Sequence, residues 1–141
     1  MSKINAAITG IQGYVPEYIL TNKELEKLVD TNDEWIVSRT GIKERRILKG
    51  SELGSSFLAI NAAKDLLAKK NIDPTTIDLV IVATATPDMQ AASTASYTAT
   101  QIGAINAWGI DLQNRCCTSV SALKIAKDML IADDEIDTIM I

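Results

Sequence analysis

Two cysteines stand side by side in the stretch DLQNRCCTSV, residues 111–120, and they are the only thiols in a chain with no histidine. The stretch lies where an apolar run, AWGIDLQ, gives way to a helical pattern, CCTSVSALKIAKDML. A thiol in the first turn of a helix meets free N–H groups and the positive end of the helix dipole, which favour its reactive form. The same N–H groups can hold the oxyanion that forms when sulfur attacks a carbonyl. The chemistry this predicts is acyl transfer through a thioester. Arg115 adds positive charge beside the pair, and Thr118 and Ser119 add hydroxyls. The competing reading is two buried, inert thiols, because free cysteine is among the most buried residue types. Neighbouring Cα atoms are too close for a relaxed disulfide between Cys116 and Cys117, so reduced thiols in a cytoplasmic protein are expected. No cysteine or histidine spacing suits a metal.

A second constellation is Trp35 and Arg39, four residues apart in a helical pattern and therefore on one helix face. An exposed indole is a flat apolar platform, and a guanidinium can stack on it or hold phosphate. The plainer alternative is a tryptophan packed in the core beside a solvated arginine.

The elements that must position these residues read as follows. INAAITGIQGYVP is expected to be a strand. Thr21–Glu24 (TNKE) and Thr31–Glu34 (TNDE) each fit a capping box, the first opening a short helix and the second the helix of Trp35, Ile36 and Arg39. IKERRIL is a strand or extended arm, and Arg45 and Arg46 read as its solvated charged edge. Ser55 or Ser56 caps a longer helix with Leu58, Ala62 and Leu66 along one face and Ala59, Ala63 and Leu67 beside them. Asp73-Pro74 breaks it. IDLVIVATA, residues 77–85, is a β-branched run expected to be buried on both faces. A turn at Thr86-Pro87-Asp88 leads to a helix of small residues closed by Gly103. AWGIDLQ is a further buried strand, and the last helix should bury Val120, Leu123, Ala126 or Lys127, and Leu130. EIDTIMI begins another strand. Trp108 reads as core or interface, and Tyr97 as a residue facing a dimer neighbour.

Strands and helices alternate, so the fold class is α/β with a largely parallel, mixed sheet and helices on both faces. The 141 residues suffice for one domain with a core, and no linker or repeat divides them. A net charge of −4 argues against nucleic acid or an acidic membrane surface as partner. No leader-like or bilayer-length apolar run is present. The last residues lie inside an apolar strand pattern, which suggests the front part of a longer protein or a partner chain that completes it.

The runs LTNKELEKLVDTNDEWIVSRTGIKERRI, IDLVIVATATPD and NAWGIDLQ resemble 3-oxoacyl-acyl-carrier-protein synthase III, over nearly the whole chain. The resemblance implies the N-terminal half of a thiolase-like fold, commonly a homodimer. It also implies a cysteine nucleophile that takes an acyl group from acyl-coenzyme A and condenses it with malonyl-acyl-carrier protein. No cofactor is implied beyond the coenzyme A thioester used as substrate. The family pattern D-[IL]-x-A-A-C-S-G-F lays Cys116 on the nucleophile, with Cys117 or a thiol kept only for packing as the alternatives. Trp35 falls on a residue that stacks on the adenine of coenzyme A, with Arg39 and Thr31 as further contacts. The family's histidine and asparagine belong to a C-terminal half, so this chain alone should not condense.

The pattern departs at several positions. Asn114 and Arg115 replace two alanines, and Cys117, Thr118 and Ser119 replace the S-G-F that follows the nucleophile. Ala91 and Ala92 stand where the family carries Phe-Pro, and Ala91 would reshape the acyl pocket at the dimer. Thr118 is expected to crowd the oxyanion backbone. These changes imply a divergent acyl-transferring paralogue, or a non-catalytic half-thiolase scaffold that pairs with itself.

Overall fold

The computed structural model describes residues 6–50 and 54–141. The chain forms two compact units, one running through Tyr14 and then from Gly54 to Ile141, the other from Val15 to Leu53.

The smaller unit is built on two short antiparallel strands, β1 (Ile19–Thr21) and β2 (Glu44–Arg46), with Leu20 opposite Arg45. Between them lie α1 (Asn22–Leu25) and α2 (Asp33–Thr40). Thr21 caps α1 as expected, its hydroxyl accepting from the Glu24 N–H at 3.3 Å. The Glu24 carboxylate does not reach back, because it accepts from the Tyr18 hydroxyl instead. The second capping box shifts by one residue: Asn32, not Thr31, caps α2 and accepts from the Trp35 N–H at 2.8 Å. Asparagine is the better cap at this extended backbone position. Gly41 closes α2 with φ 71°, a left-handed conformation that glycine adopts without steric cost.

This unit has little apolar core and is held by a buried polar centre. Asn22 is 2% exposed; its side-chain amide donates to the Asp33 carboxylate at 2.7 Å and to the Ile42 carbonyl at 2.9 Å. Its carbonyl oxygen accepts from the Arg45 guanidinium at 2.8 Å. Arg46 donates to the Pro16 and Glu17 carbonyls. Arg45 and Arg46 are thus not a freely solvated edge; both tie strand and loop backbones together.

The larger unit has a three-stranded parallel sheet in the order β4 (Trp108–Leu112), β3 (Leu79–Ala83), β5 (Ile139–Met140). β3 is central, and its side chains alternate between two covered faces. Val80 and Val82 pack with Ala63 and Leu67 of α3 (Ser55–Lys70) and with Ala95, Ala99 and Ile102 of α4 (Thr94–Ile102). Leu79 and Ile81 pack with Ala122 and Ala126 of α5 (Thr118–Ala132). The α/β reading and the doubly buried strand are therefore observed.

Four expectations are corrected. Residues 6–16 form no strand, and Ile8 and Ile11 are exposed, because no strand offers this segment a ladder among the described residues; Ile4 and Asn5 lie outside those residues. β4 is half-buried rather than fully covered, since among the described residues it pairs only with β3. Neither Ser55 nor Ser56 caps α3; Gly54 holds the cap position, and the Asp88 carboxylate accepts from the Ser56 N–H at 3.0 Å. Finally, α5 turns a different face inward. Thr118, Ala122 and Ala126 are buried, whereas Val120 is 69% and Leu123 46% exposed. Small residues let the helix approach the sheet closely, and this outweighs the larger side chains of the expected register.

Candidate active site at the carboxyl ends of two parallel strands

β3 and β4 run parallel, and the chain leaves them in opposite directions. After β3 it crosses to α4 on one face of the sheet; after β4 it crosses to α5 on the other. Such a divergence opens a crevice at the carboxyl ends of the two strands, where open α/β sheets place their ligands. A cleft of about 440 Å³ lies there, lined by Ala85 after β3 and by Gln113 and Arg115 after β4.

Both cysteines follow Arg115 in the chain and are not among the residues that line the cleft. Arg115–Cys117 form one 3-10 turn between β4 and α5, so the pair precedes the long helix instead of lying in its first turn. Cys117 is the N-cap position of α5. Both thiols are free and exposed in this chain and are not buried against its core. Cys116 therefore stands open to solvent four residues past the end of β4, with a 15-residue helix directed away from it.

The residues around the pair fix this turn. Arg115 adopts φ 49°, a left-handed backbone that non-glycine residues visit infrequently. Thr118 is 2% exposed, and its hydroxyl donates to the Arg115 carbonyl at 2.6 Å while accepting from the Asn114 N–H at 2.8 Å. Thr118 therefore staples the turn; the structure accommodates it as a buried, fully bonded side chain. The Cys117 N–H donates to the Asn114 carbonyl at 3.1 Å.

Asp111, one of the matched motif positions, has a structural task. Its two carboxylate oxygens accept from the N–H groups of Thr94 and Ala95, each at 2.8 Å, so the end of β4 caps the start of α4. Gly109 allows that approach, because a Cβ there would lie 2.6 Å from the Ser96 nitrogen. Sequence reading assigned neither role, and the signal available was a lone acid at the end of an apolar run. Ala85 and Gln113 were missed as well, since their pairing depends on the strand order. Ala91 is exposed in the irregular segment before α4. Trp108 is 49% exposed and is not a core residue; it begins β4, which is an edge strand among the described residues. Tyr97 is 46% exposed on α4.

In the smaller unit, α2 brings Trp35 and Arg39 together. The Arg39 guanidinium lies 5.9 Å from the indole centroid, within cation–π range, and Trp35 is 56% exposed. Trp35 is thus not packed into the core of this chain. Thr31 is half-buried just before the helix and has given its capping role to Asn32.

No family model matches the chain. Individual relatives do. The chain is 53% identical over 130 residues to beta-ketoacyl-acyl-carrier-protein synthase III 2 of Bacteroides thetaiotaomicron, a match covering 92% of this chain and 39% of the relative. It is 49% identical over 130 residues to the beta-ketoacyl-acyl-carrier-protein synthase III of Porphyromonas gingivalis, again 92% and 39%. Among solved structures, 3-oxoacyl-acyl-carrier-protein synthase III of Aquifex aeolicus superposes with a TM-score of 0.80 at 43% identity, covering 86% of this chain and 39% of that one. The corresponding Thermus thermophilus enzyme gives 0.80 at 40% identity, covering 89% and 38%. The chain thus spans about two-fifths of the length of the curated relatives it matches. By sequence and by fold, it is a part-length relative of the 3-oxoacyl-acyl-carrier-protein synthases III and shares their thiolase-like α/β architecture.

Proposed function

We propose that this chain carries the acyl-accepting half of a 3-oxoacyl-acyl-carrier-protein synthase III-like acyltransferase of fatty-acid biosynthesis. The observation that carries the reading is the exposed Cys116 at the strand-to-helix junction beside a cleft, in a chain 53% identical to such a synthase. Cys116 is the nucleophile. Its sulfur attacks the carbonyl of an acyl-coenzyme A, the acyl–sulfur bond to coenzyme A breaks, and the thiol proton leaves with the coenzyme A thiol. Condensation with malonyl-acyl-carrier protein, with loss of carbon dioxide, then requires residues outside this chain, which contains no histidine. Trp35 and Arg39 hold the coenzyme, the indole as a stacking platform and the guanidinium toward its phosphates, with Thr31 beside them. Residues 1–141 act as one N-terminal thiolase-like portion of a cytoplasmic homodimer whose partners are acyl-coenzyme A and acyl-carrier protein. Ala91 belongs to the acyl pocket at the dimer.

The test is intact-mass analysis after incubation with an acyl-coenzyme A. One acyl group is expected, mapped to Cys116 and absent from C116A; adduct formation on Cys117 alone would move the nucleophile by one residue. The 141-residue chain is expected to give no 3-oxoacyl product with malonyl-acyl-carrier protein, and turnover by it would overturn the division of labour.

A second reading is favoured by Arg115 on the cleft: an acyltransferase that does not elongate. Such a protein would transfer acyl groups without releasing carbon dioxide, and formation of a normal 3-oxoacyl product would reject this reading.

A further inference from the structure

Four arginines occur in the chain, and three have partners in the structure. Arg39 stacks on Trp35, while Arg45 and Arg46 donate to backbone carbonyls. Arg115 donates to none of the described residues, although it sits between a strand end and the candidate nucleophile. Three observations meet at this residue. Its backbone is held at φ 49°, a costly conformation for a long side chain, and the buried Thr118 hydroxyl fixes it there. The residue lines the cleft of about 440 Å³. The other two lining residues are Gln113, whose amide adds donors, and Ala85, which leaves room.

A guanidinium with free donors, on a cleft shared with a carboxamide and one residue before a thiol, fits a planar carboxylate. We propose that Arg115, with Gln113, selects acyl donors that end in a carboxylate, so that the thioester accepted by Cys116 is that of a short dicarboxylic acid. This rests on the acyl-transfer reading of Cys116. The step itself is unchanged: a sulfur–acyl bond forms on Cys116, the bond to coenzyme A breaks, and the thiol proton leaves with coenzyme A. The distal carboxylate stays intact against Arg115 and sets specificity.

The first arm of the test needs no acyl transfer. Cys116 is alkylated with iodoacetate, an anion, and with iodoacetamide, its neutral analogue, and the site is assigned by peptide fragmentation. The ratio of the two rates is expected to fall about tenfold in R115Q, the order of one hydrogen bond to a charged group. R115K, which keeps the charge, is expected to retain most of the preference, and circular dichroism checks that both variants fold. An unchanged ratio in R115Q overturns the proposal. In the second arm, succinyl-coenzyme A and butyryl-coenzyme A compete for Cys116 in the same chain. Preferential succinylation that disappears in R115Q supports the assignment. Acylation by both donors at a ratio indifferent to R115Q overturns the assignment and leaves the acyl-transfer reading standing. Acylation by neither, with the alkylation ratio intact, overturns the acyl-transfer reading and the proposed substrate class together.

Discussion

Trp35 and Asn22 lie thirteen positions apart in one unit and are opposites in energetic character. Trp35 is more than half exposed, so W35A should change folding stability by no more than about 0.5 kcal/mol, as surface substitutions do. On the proposed coenzyme-binding role of Trp35, coenzyme A affinity should nevertheless fall clearly, because the stacking face is gone. Calorimetric titration against thermal melting separates the two effects; a large loss of stability with unchanged affinity would make Trp35 structural. Asn22 behaves in the reverse sense. Removing its amide in N22A leaves the Arg45 guanidinium and the Ile42 carbonyl short of a partner in a buried setting, at a cost of about 2–3 kcal/mol. A denaturant midpoint indistinguishable from the parent would contradict this. The Trp35–Arg39 pair was legible in the sequence, since helical spacing alone brings the two together. Asn22 was not, because its side-chain partners lie 11, 20 and 23 residues away and meet only after β1 and β2 pair.

Among elements, the junction of α4 with β4 carries the most specific chemistry. Asp111 satisfies two of the N–H groups that begin α4, and Ser93 accepts from a third at Ser96. D111A should therefore destabilise the larger unit by about 2 kcal/mol, the upper range for a lost helix cap, as read from urea unfolding. G109A should also destabilise, by about 1–3 kcal/mol, because the added methyl meets Ser96 backbone that cannot move away without parting helix from strand. In the same helix the Thr98 hydroxyl is buried without a hydrogen-bond partner. T98V should thus be neutral or stabilising, by up to about 1 kcal/mol. The 3-10 turn at Pro74–Thr76 responds to pH through Asp73, whose carboxyl is held below the usual aspartate range because the Thr75 N–H, and then its hydroxyl, donate to the charged form. A depressed value means that the contribution is present above the unfolded pKa and is lost as pH falls through the folded one. The elements were readable wherever period and punctuation agreed, as in β3, α4 and its Gly103 stop. The caps were not, since Asp88 and Asp111 reach helices from other segments; nor was the inner face of α5, where close approach by alanine outweighs leucine and valine.

At the scale of the larger unit, strand order turns local sequence into a site. The pattern announced alternating strands and helices but could not say that β4 and β5 flank β3, and that order creates the crevice where Ala85 meets Gln113 and Arg115. The same arrangement leaves apolar surface open. Trp108 stands exposed at the start of β4 and Ile105 in the turn before it, and Val120 and Leu123 line the outer side of α5. An unpaired strand edge and an apolar helix stripe both favour association when nothing covers them. The 141-residue chain is therefore expected to self-associate with rising concentration, with a molar mass by light scattering above the 15.2 kDa of one chain. Replacing exposed side chains should reverse this at little cost to the fold, because Val120 and Leu123 are outside the cluster formed by Ala122, Ala126, Leu79 and Ile81. The double variant V120K/L123E should approach the monomer mass with a denaturant midpoint close to the parent's. Two results would count against the argument: a parent chain that stays monomeric at every concentration, which would mean the stripe is too small to bind, or a double variant that unfolds, which would mean α5 buries these residues after all.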